Sequence, residues 1–237
     1  MAAALAAVLA APGAGRAQPL PPPGDPAWQA ITFPSIERHT RYEAVESARG
    51  PAWHAVADCA SSGMVVDVGE VDLATRPLRL RWSWRVGSLP VPAAGADVSE
   101  RTLAGDDFGA RVYAIFAADT ERMSTWLRWR HRIASRLLGR ELPGHALSYV
   151  WARAETAGSD WRSPHTSPGH LFALRSGPAT GWAQESVDLR ADHLRSFGAP
   201  RTPLVAIGIM SDSDDTCSRA EAWFSGLRFE RAAPRDP

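Results

Sequence analysis

One segment restricts the fold more than any other. In Leu80-Arg-Trp-Ser-Trp-Arg-Val86 the apolar side chains fall at every second position. Leu80, Trp82, Trp84 and Val86 share one face of an extended chain, and Arg79, Arg81, Ser83 and Arg85 share the other. No strand buries two indoles on one side and three unpaired guanidiniums on the other. The Trp face, Trp84 included, therefore belongs to a core. The Arg face belongs to solvent, to a groove, or to a layer paired with acids.

The same alternation recurs in residues 41–47, 53–58, 63–68, 108–117, 146–153, 171–175, 182–189, 204–210 and 222–229. Turn-forming pairs separate many of these segments: Gly50-Pro51, Arg76-Pro77, Gly177-Pro178 and the stretch from Pro200 to Pro203. Short strands punctuated in this way point to a mainly-β fold, a single antiparallel β-sandwich of jelly-roll-like form. No linker or repeat divides it, so one domain is expected over residues 28–230, followed by a disordered tail at 231–237.

Two helices interrupt the strands. From Asp119 or Thr120, either of which can cap, the residues Met123, Trp126, Leu127, Ile133, Ala134, Leu137 and Leu138 form an apolar stripe that Gly139 can end. Arg128, Arg132 and Arg136 follow at four-residue spacing on the opposite side. Residues 190–197 read as a second, shorter helix. Between Glu121 and Arg140 stand six Arg and one Glu, a local balance of +5. That makes residues 121–140 a candidate surface for an anionic envelope partner. The whole chain balances 26 basic against 26 acidic residues, which argues against a general nucleic-acid binder.

The beginning of the chain reads as an export signal. Ala2 to Ala11 is an apolar run too short for an anchor, a turn follows at Pro12-Gly13, and Gly15-Arg-Ala17 offers small residues at the cleavage positions. The expectation is a signal peptide at 1–17, its basic region lying upstream of Met1, and a periplasmic or secreted product. Residues 18–27 are then a proline-rich lead-in, unfit for a helix or a sheet interior. In an oxidising compartment the two cysteines, Cys59 and Cys217, either pair as a disulfide between neighbouring end strands or stay separate as buried thiols.

Several ordered pieces resemble a known family. They are Leu80 to Val86, Gly105-Asp-Asp-Phe-Gly-Ala-Arg-Val-Tyr-Ala-Ile-Phe116, Leu147-Ser-Tyr-Val-Trp151, Asp188 to Gly198, and Val205 to Thr216. Together, over roughly residues 28–230, the chain is similar to the bacterial domain of unknown function 3047, whose members are mostly exported. The resemblance implies a β-rich exported domain and no particular activity. The cysteine pair is not part of that resemblance.

Two acidic groups carry what chemistry the sequence offers. Asp106 and Asp107 open a strand, and adjacent residues of a strand point opposite ways. Asp107 either pairs Arg111 or Arg81, or joins Arg81, Arg85, Arg111 and Tyr113 as one wall of a ligand groove. Asp212, Asp214 and Asp215 follow an apolar run and are spaced as oxygen ligands of Ca²⁺, the one candidate cofactor; the alternative is a solvated turn whose carboxylates bond backbone amides. His165 and His170 bracket a loop without a zinc pattern. No Cys-x-x-Cys, His-Glu-x-x-His, Gly-x-Ser-x-Gly, Walker loop or dinucleotide fingerprint is present. Of the ten Trp, most lie at core parity, while Trp161 and Trp182 are the better candidates for stacking on a sugar.

The leading expectation is an exported, non-catalytic binding module for a small molecule or glycan. Two rivals stand beside it: a glycan-active enzyme that uses Asp107 with Glu185 or Asp212 as a carboxylate pair, and an envelope interaction protein that uses the arginine-rich helix.

Overall fold

The computed structural model describes residues 17–75, 78–93, 98–121, 144–164, 169–179 and 181–231. The arginine-rich helix expected after Thr120, the export segment, His165 and the tail beyond Arg231 lie outside the described residues.

Strand-forming segments and their turns build two sheets. The six-stranded sheet contains β1 (Gln18–Pro19), β3 (Arg41–Ser47), β4 (Gly50–Asp58), β6 (Leu78–Ser88), β11 (Ala183–Asp188) and β13 (Arg219–Arg231), in the order β11-β6-β13-β4-β3 with β1 beside β13. The seven-stranded sheet runs β2-β5-β12-β7-β8-β10-β9. Its members are β2 (Trp28–Ile31), β5 (Ser61–Val71), β7 (Ala110–Phe116), β8 (His145–Ala152), β9 (Asp160–Arg162), β10 (Gly169–Ser176) and β12 (Leu204–Asp212). One helix is described, α1 (Leu189–Phe197), beside a single 3-10 turn at Leu103–Gly105.

The pairing corrects the purely antiparallel expectation, because β10 runs parallel to β8. A hairpin cannot join parallel neighbours; the chain leaves β8, forms β9 as an antiparallel partner of β10, and returns. The proline-rich lead-in is joined to the domain: β1 extends the sheet along Arg228 and Phe229, the Trp28 indole donates to the Pro21 carbonyl at 2.9 Å, and Leu20 packs on the core.

Between the sheets lies the core. Leu80, Trp82, Trp84 and Val86 of β6 are all buried in it, with the Trp82 and Trp84 rings edge to face at 5.3 Å. From the facing sheet, Tyr149 and Trp151 meet them at 5.7 Å each. The Trp84 indole completes its hydrogen bond by donating to Glu185 Oε1 at 3.0 Å. In β13 the alternation slips at a bulge around Gly226, whose φ of +65° suits glycine. Before it Trp223 and Ser225 face outward, and after it Arg228 and Glu230 do.

α1 closes one flank. Asp188 caps it by accepting from the Ala191 amide at 3.0 Å, and Gly198 at φ +84° ends it with its own amide on Leu194. The helix carries His193 against His145 of β8, Nε2 to Nε2 at 2.8 Å, between the rings of Phe116 and Phe197.

Candidate functional site

At one end of the sandwich two corners pass from sheet to sheet. Residues 59–60 join β4 to β5, and residues 213–218 join β12 to β13. The disulfide Cys59–Cys217 ties them together, with Cα atoms 4.0 Å apart, and the Cys59 amide donates to the Ser218 carbonyl at 2.8 Å. Into this end the loop before β7 delivers Asp106 and Asp107.

The two aspartates diverge, as their adjacency requires. Asp106 goes to Arg111, which also binds Asp212: Arg111 Nε donates to Asp212 Oδ1 at 2.9 Å, Nη1 to Asp106 Oδ2 at 3.3 Å, and Nη2 to Asp212 and to the Asp106 carbonyl. All three are buried, and the guanidinium lies 4.4 Å from the Phe108 ring centre. Burial alone would lower the Arg111 guanidinium; Asp106 and Asp212 more than reverse this and hold it protonated. Burial raises the Asp212 carboxyl against the pull of Arg111.

Asp107, 0% exposed, pairs with neither Arg111 nor Arg81, contrary to the expectation for it. Its Oδ2 accepts from the Thr216 amide and hydroxyl at 2.6 Å each, and its Oδ1 from the Asp215 amide at 3.3 Å. The sequence gives no hint of this, since the partner lies 109 residues away. Asp107, Asp212 and Asp214 each present an oxygen within 4.8 Å of the others, a set that could hold a cation. Of the expected set, Asp212 and Asp214 belong to this group, while Asp215 is exposed beside it. Asp214 is half-buried, and burial, then the charge of Asp107, raises its carboxyl above the usual range.

The expected groove wall is divided between opposite surfaces. Arg81 and Arg85 lie on the outward face of the six-stranded sheet, Arg111 and Tyr113 on that of the seven-stranded sheet. Val112, Ala114 and Phe116 of β7 point into the core, so Arg111, Tyr113 and Ile115 point away from it. Trp182 is half-buried just before β11, on the edge of the six-stranded sheet. Trp161 is not an exposed stacking ring. It is 7% exposed in a second apolar cluster with Phe108, Val150, Ala152, Leu171 and Ala173, and Arg101 covers it at 4.9 Å.

Beside that cluster the outward face of the seven-stranded sheet changes character. Tyr113 stands directly opposite Gly208 on β12 and Ser148 on β8. At the same parity stand the small residues Ala206, Ala146 and Gly169 and the larger Ile115, Met210, Val65 and Leu171, the last two being direct partners of Gly208 and Ser148. Among the described residues the Tyr113 hydroxyl meets the Met210 sulfur, at 3.6 Å, and the Ser148 hydroxyl, and burial pushes its pKa up to about 12. The Ser148 hydroxyl lies beside the phenol, belongs to a residue 4% exposed, and completes no hydrogen bond of ordinary geometry. Sequence reasoning found Tyr113 and missed Ser148, whose only signal was its outward parity in β8.

The carboxylates expected of an enzyme do not share one open face. Glu185, on β11, accepts from the Trp84 indole and pairs with Arg175 at 2.7 Å. Asp107 and Asp212 are at the stapled corner of the other sheet, with both oxygens of each engaged by protein donors.

Among solved structures the chain is similar to the family 11 carbohydrate-binding module from Clostridium thermocellum in complex with a mixed-linked tetrasaccharide. That match has a TM-score of 0.47 and 8% identity, covering 94% of this chain and 99% of that one. The family 11 module of cellulase Lic26A-Cel5E from the same organism gives 0.45 at 8% identity, covering 95% and 100%. The family 30 module of its cellulase Cel9D-Cel44B gives 0.41 at 9%, covering 94% and 95%. At this distance no ligand passes from them to this chain. A comparison with curated proteins gives no match. The ordered motifs from Leu80 to Thr216 all fall within residues 26–228, the span matched by the model for Protein of unknown function (DUF3047), and the chain belongs to that family.

Proposed function

We propose that the chain is an exported binding module for a glycan, which it holds without cleaving. The observation that carries this is the hydroxyl pair of Tyr113 and Ser148, adjacent on the outward face of the seven-stranded sheet. Buried hydroxyls ordinarily find partners. Here, among the described residues, the phenol has only a thioether besides the serine hydroxyl next to it. A polyol supplies both donors and acceptors to such a pair, and the phenol offers an aromatic face as well. The reading rests on this pair and not on the strand layout shared with carbohydrate-binding modules.

The engagement of both oxygens of Asp107 and Asp212, and of Oε1 of Glu185, by protein groups supports binding over catalysis. Export is supported by the apolar leader and by the cysteine pair, since disulfides persist in oxidising compartments. A glycan array probed with the mature domain tests the reading. Tyr113→Phe removes one hydroxyl and should weaken the bound glycan roughly tenfold, the worth of about 1.4 kcal/mol, at unchanged melting temperature. Release of reducing ends from the bound glycan would refute the non-catalytic reading, and equal binding by Tyr113→Phe and Ser148→Ala would remove the site.

A further inference from the structure

The outward face of the six-stranded sheet carries an arrangement that stability does not explain. Arg81 of β6 and Arg228 of β13 are direct cross-strand partners, and like charges placed opposite one another destabilise a sheet. Arg79 stands two residues along on the same face. One carboxylate serves both members of the opposed pair: Glu230 forms an ion pair with Arg81, Nε to Oε2 at 3.0 Å, and accepts from Arg228 Nε at 3.1 Å. Arg79 and Arg81 share a hydroxyl, that of Ser186, at 3.3 and 3.2 Å. Asp188, opposite Arg79, is occupied with capping α1.

The donors left over are the informative part. Glu230 and Ser186 take Arg81 through Nε, so both terminal nitrogens of Arg81 lack a hydrogen bond among the described residues. The Arg81 side chain is 40% exposed and that of Arg228 is 36% exposed, both in the plane of an open sheet face. A guanidinium with both terminal nitrogens unbonded by the described residues, as in Arg81, is the fork that takes a planar or tetrahedral oxyanion through two parallel hydrogen bonds, while Arg228 spends its Nη1 on the Gly226 carbonyl at 3.1 Å. Between the opposed arginines and the next ridge, the half-buried Trp223 stacked with Arg85 and His54, lie the small residues Ser83 and Ser225, register partners at the same parity. Both serines are buried, and the Ser225 hydroxyl is engaged by the Arg49 and Pro51 carbonyls.

We propose that Arg79, Arg81 and Arg228 form a site for an oxyanion, carboxylate or sulfate, carried by an acidic glycan. The charge follows from the arginines alone, and the choice of a glycan as carrier rests on the reading of the chain as a glycan-binding module. An anion bound there offsets the repulsion between Arg81 and Arg228, which one shared glutamate leaves partly uncompensated.

Affinity electrophoresis of the mature domain tests this, at low salt, in gels containing polygalacturonate, dextran sulfate or neutral dextran. The wild type should be retarded by the acidic polymers. Arg81→Gln/Arg228→Gln should weaken that retardation by at least roughly tenfold, and Arg81→Lys/Arg228→Lys should fall between, keeping charge but losing the fork. The melting temperature of the Gln variant should stay level or rise, which separates lost binding from lost folding. Tyr113→Phe distinguishes the two sites. If it leaves every glycan unaffected while the arginine variant loses polygalacturonate, the hydroxyl-pair site is wrong and the anion site stands. Equal mobility of wild type in acidic and neutral gels overturns the anion site, as does retardation indifferent to the arginine variants. Capture by phosphatidylglycerol vesicles through the same arginines, without retardation by either acidic polymer, overturns the glycan as carrier.

Discussion

Removing the disulfide is the most direct perturbation of the end of the sandwich on which the corner residues depend. Cys59 and Cys217 close a loop with a sequence separation of 158. On the chain-entropy model, a cross-link of that length contributes about 5 kcal/mol by restricting the unfolded chain. For a domain of this size each kcal/mol moves the melting temperature by about 2–4 °C, so Cys59→Ala/Cys217→Ala should melt roughly 10–20 °C lower. Both cysteines hold left-handed backbones, at φ +47° and +45°, which any L-residue put in their place must also adopt. The proper reference is therefore the wild type under reducing conditions, and it should agree with the double mutant within about 1 kcal/mol. Urea denaturation with and without reductant supplies the measurement. A loss below about 1 kcal/mol would refute the reasoning. It would mean that the Ser218 bond to Cys59 and the Thr216 bonds to Asp107 already hold the corners together in the absence of the cross-link.

Trp84 is 0% exposed, touches Trp82 and Trp151, and donates to Glu185, so Trp84→Ala should cost about 3–5 kcal/mol in urea denaturation; an unchanged midpoint would deny it that place in the core. At the corner, Asp214 has a carboxyl raised by burial and then by Asp107, so its ionised form opposes folding; that cost is present above its folded-state pKa and relieved as pH falls through it. Asp214→Asn should accordingly raise the midpoint slightly at neutral pH, and EDTA should leave the wild-type melting curve in place, because Arg111 and backbone amides already serve Asp212 and Asp107. A fall of several degrees in EDTA, restored by Ca²⁺, would make the corner a metal site instead. Burial, then His193, pushes His145 down to about 4, and His193 is lowered too. The stability of this neutral pair is present above the unfolded value of about 6.5 and is lost as pH falls from there through about 4. A urea midpoint that does not drop between pH 7 and pH 4.5 would contradict the pair. Protein exported from its native gene should begin at or near Gln18 on N-terminal sequencing; intact Met1 on cytoplasmic protein would overturn the compartment.

Alternation made individual strands legible and left their partners hidden. Trp82 and Trp84 could be placed in the core because period two and two large apolar rings leave no other packing. The same rule put Arg81 and Arg111 on polar faces, but a face read within one strand does not say which sheet the strand joins, and the two arginines end on opposite surfaces. Adjacent Asp106 and Asp107 had to diverge, and they do. Their acceptor roles depend on Arg111, Asp212 and Thr216, two of them more than 100 residues distant. Trp161 looked like a loop residue because its strand is three residues long, and the cluster that buries it is assembled from β8 and β10. The parallel pairing of those two strands has no local signature at all.

What separates architecture from site in this molecule is whether the polar groups are finished. Asp107 and Asp212 sit among carboxylates in a nearly water-free corner and would be the obvious choice for chemistry on residue type alone. Both have their oxygens filled by amides, a hydroxyl and a guanidinium, so moving any of them costs the desolvation of what it leaves behind. They hold two sheets together. The Tyr113 and Ser148 hydroxyls and the terminal nitrogens of Arg81 are the reverse case: ordinary residue types on outward faces, with hydrogen-bonding capacity that the described residues do not fill. An unfilled donor contributes nothing to the fold, and in Ser148 its burial carries a cost. A ligand that fills it recovers that cost on binding, so the two outward faces, and not the acidic corner, are where recognition by this domain should first be sought.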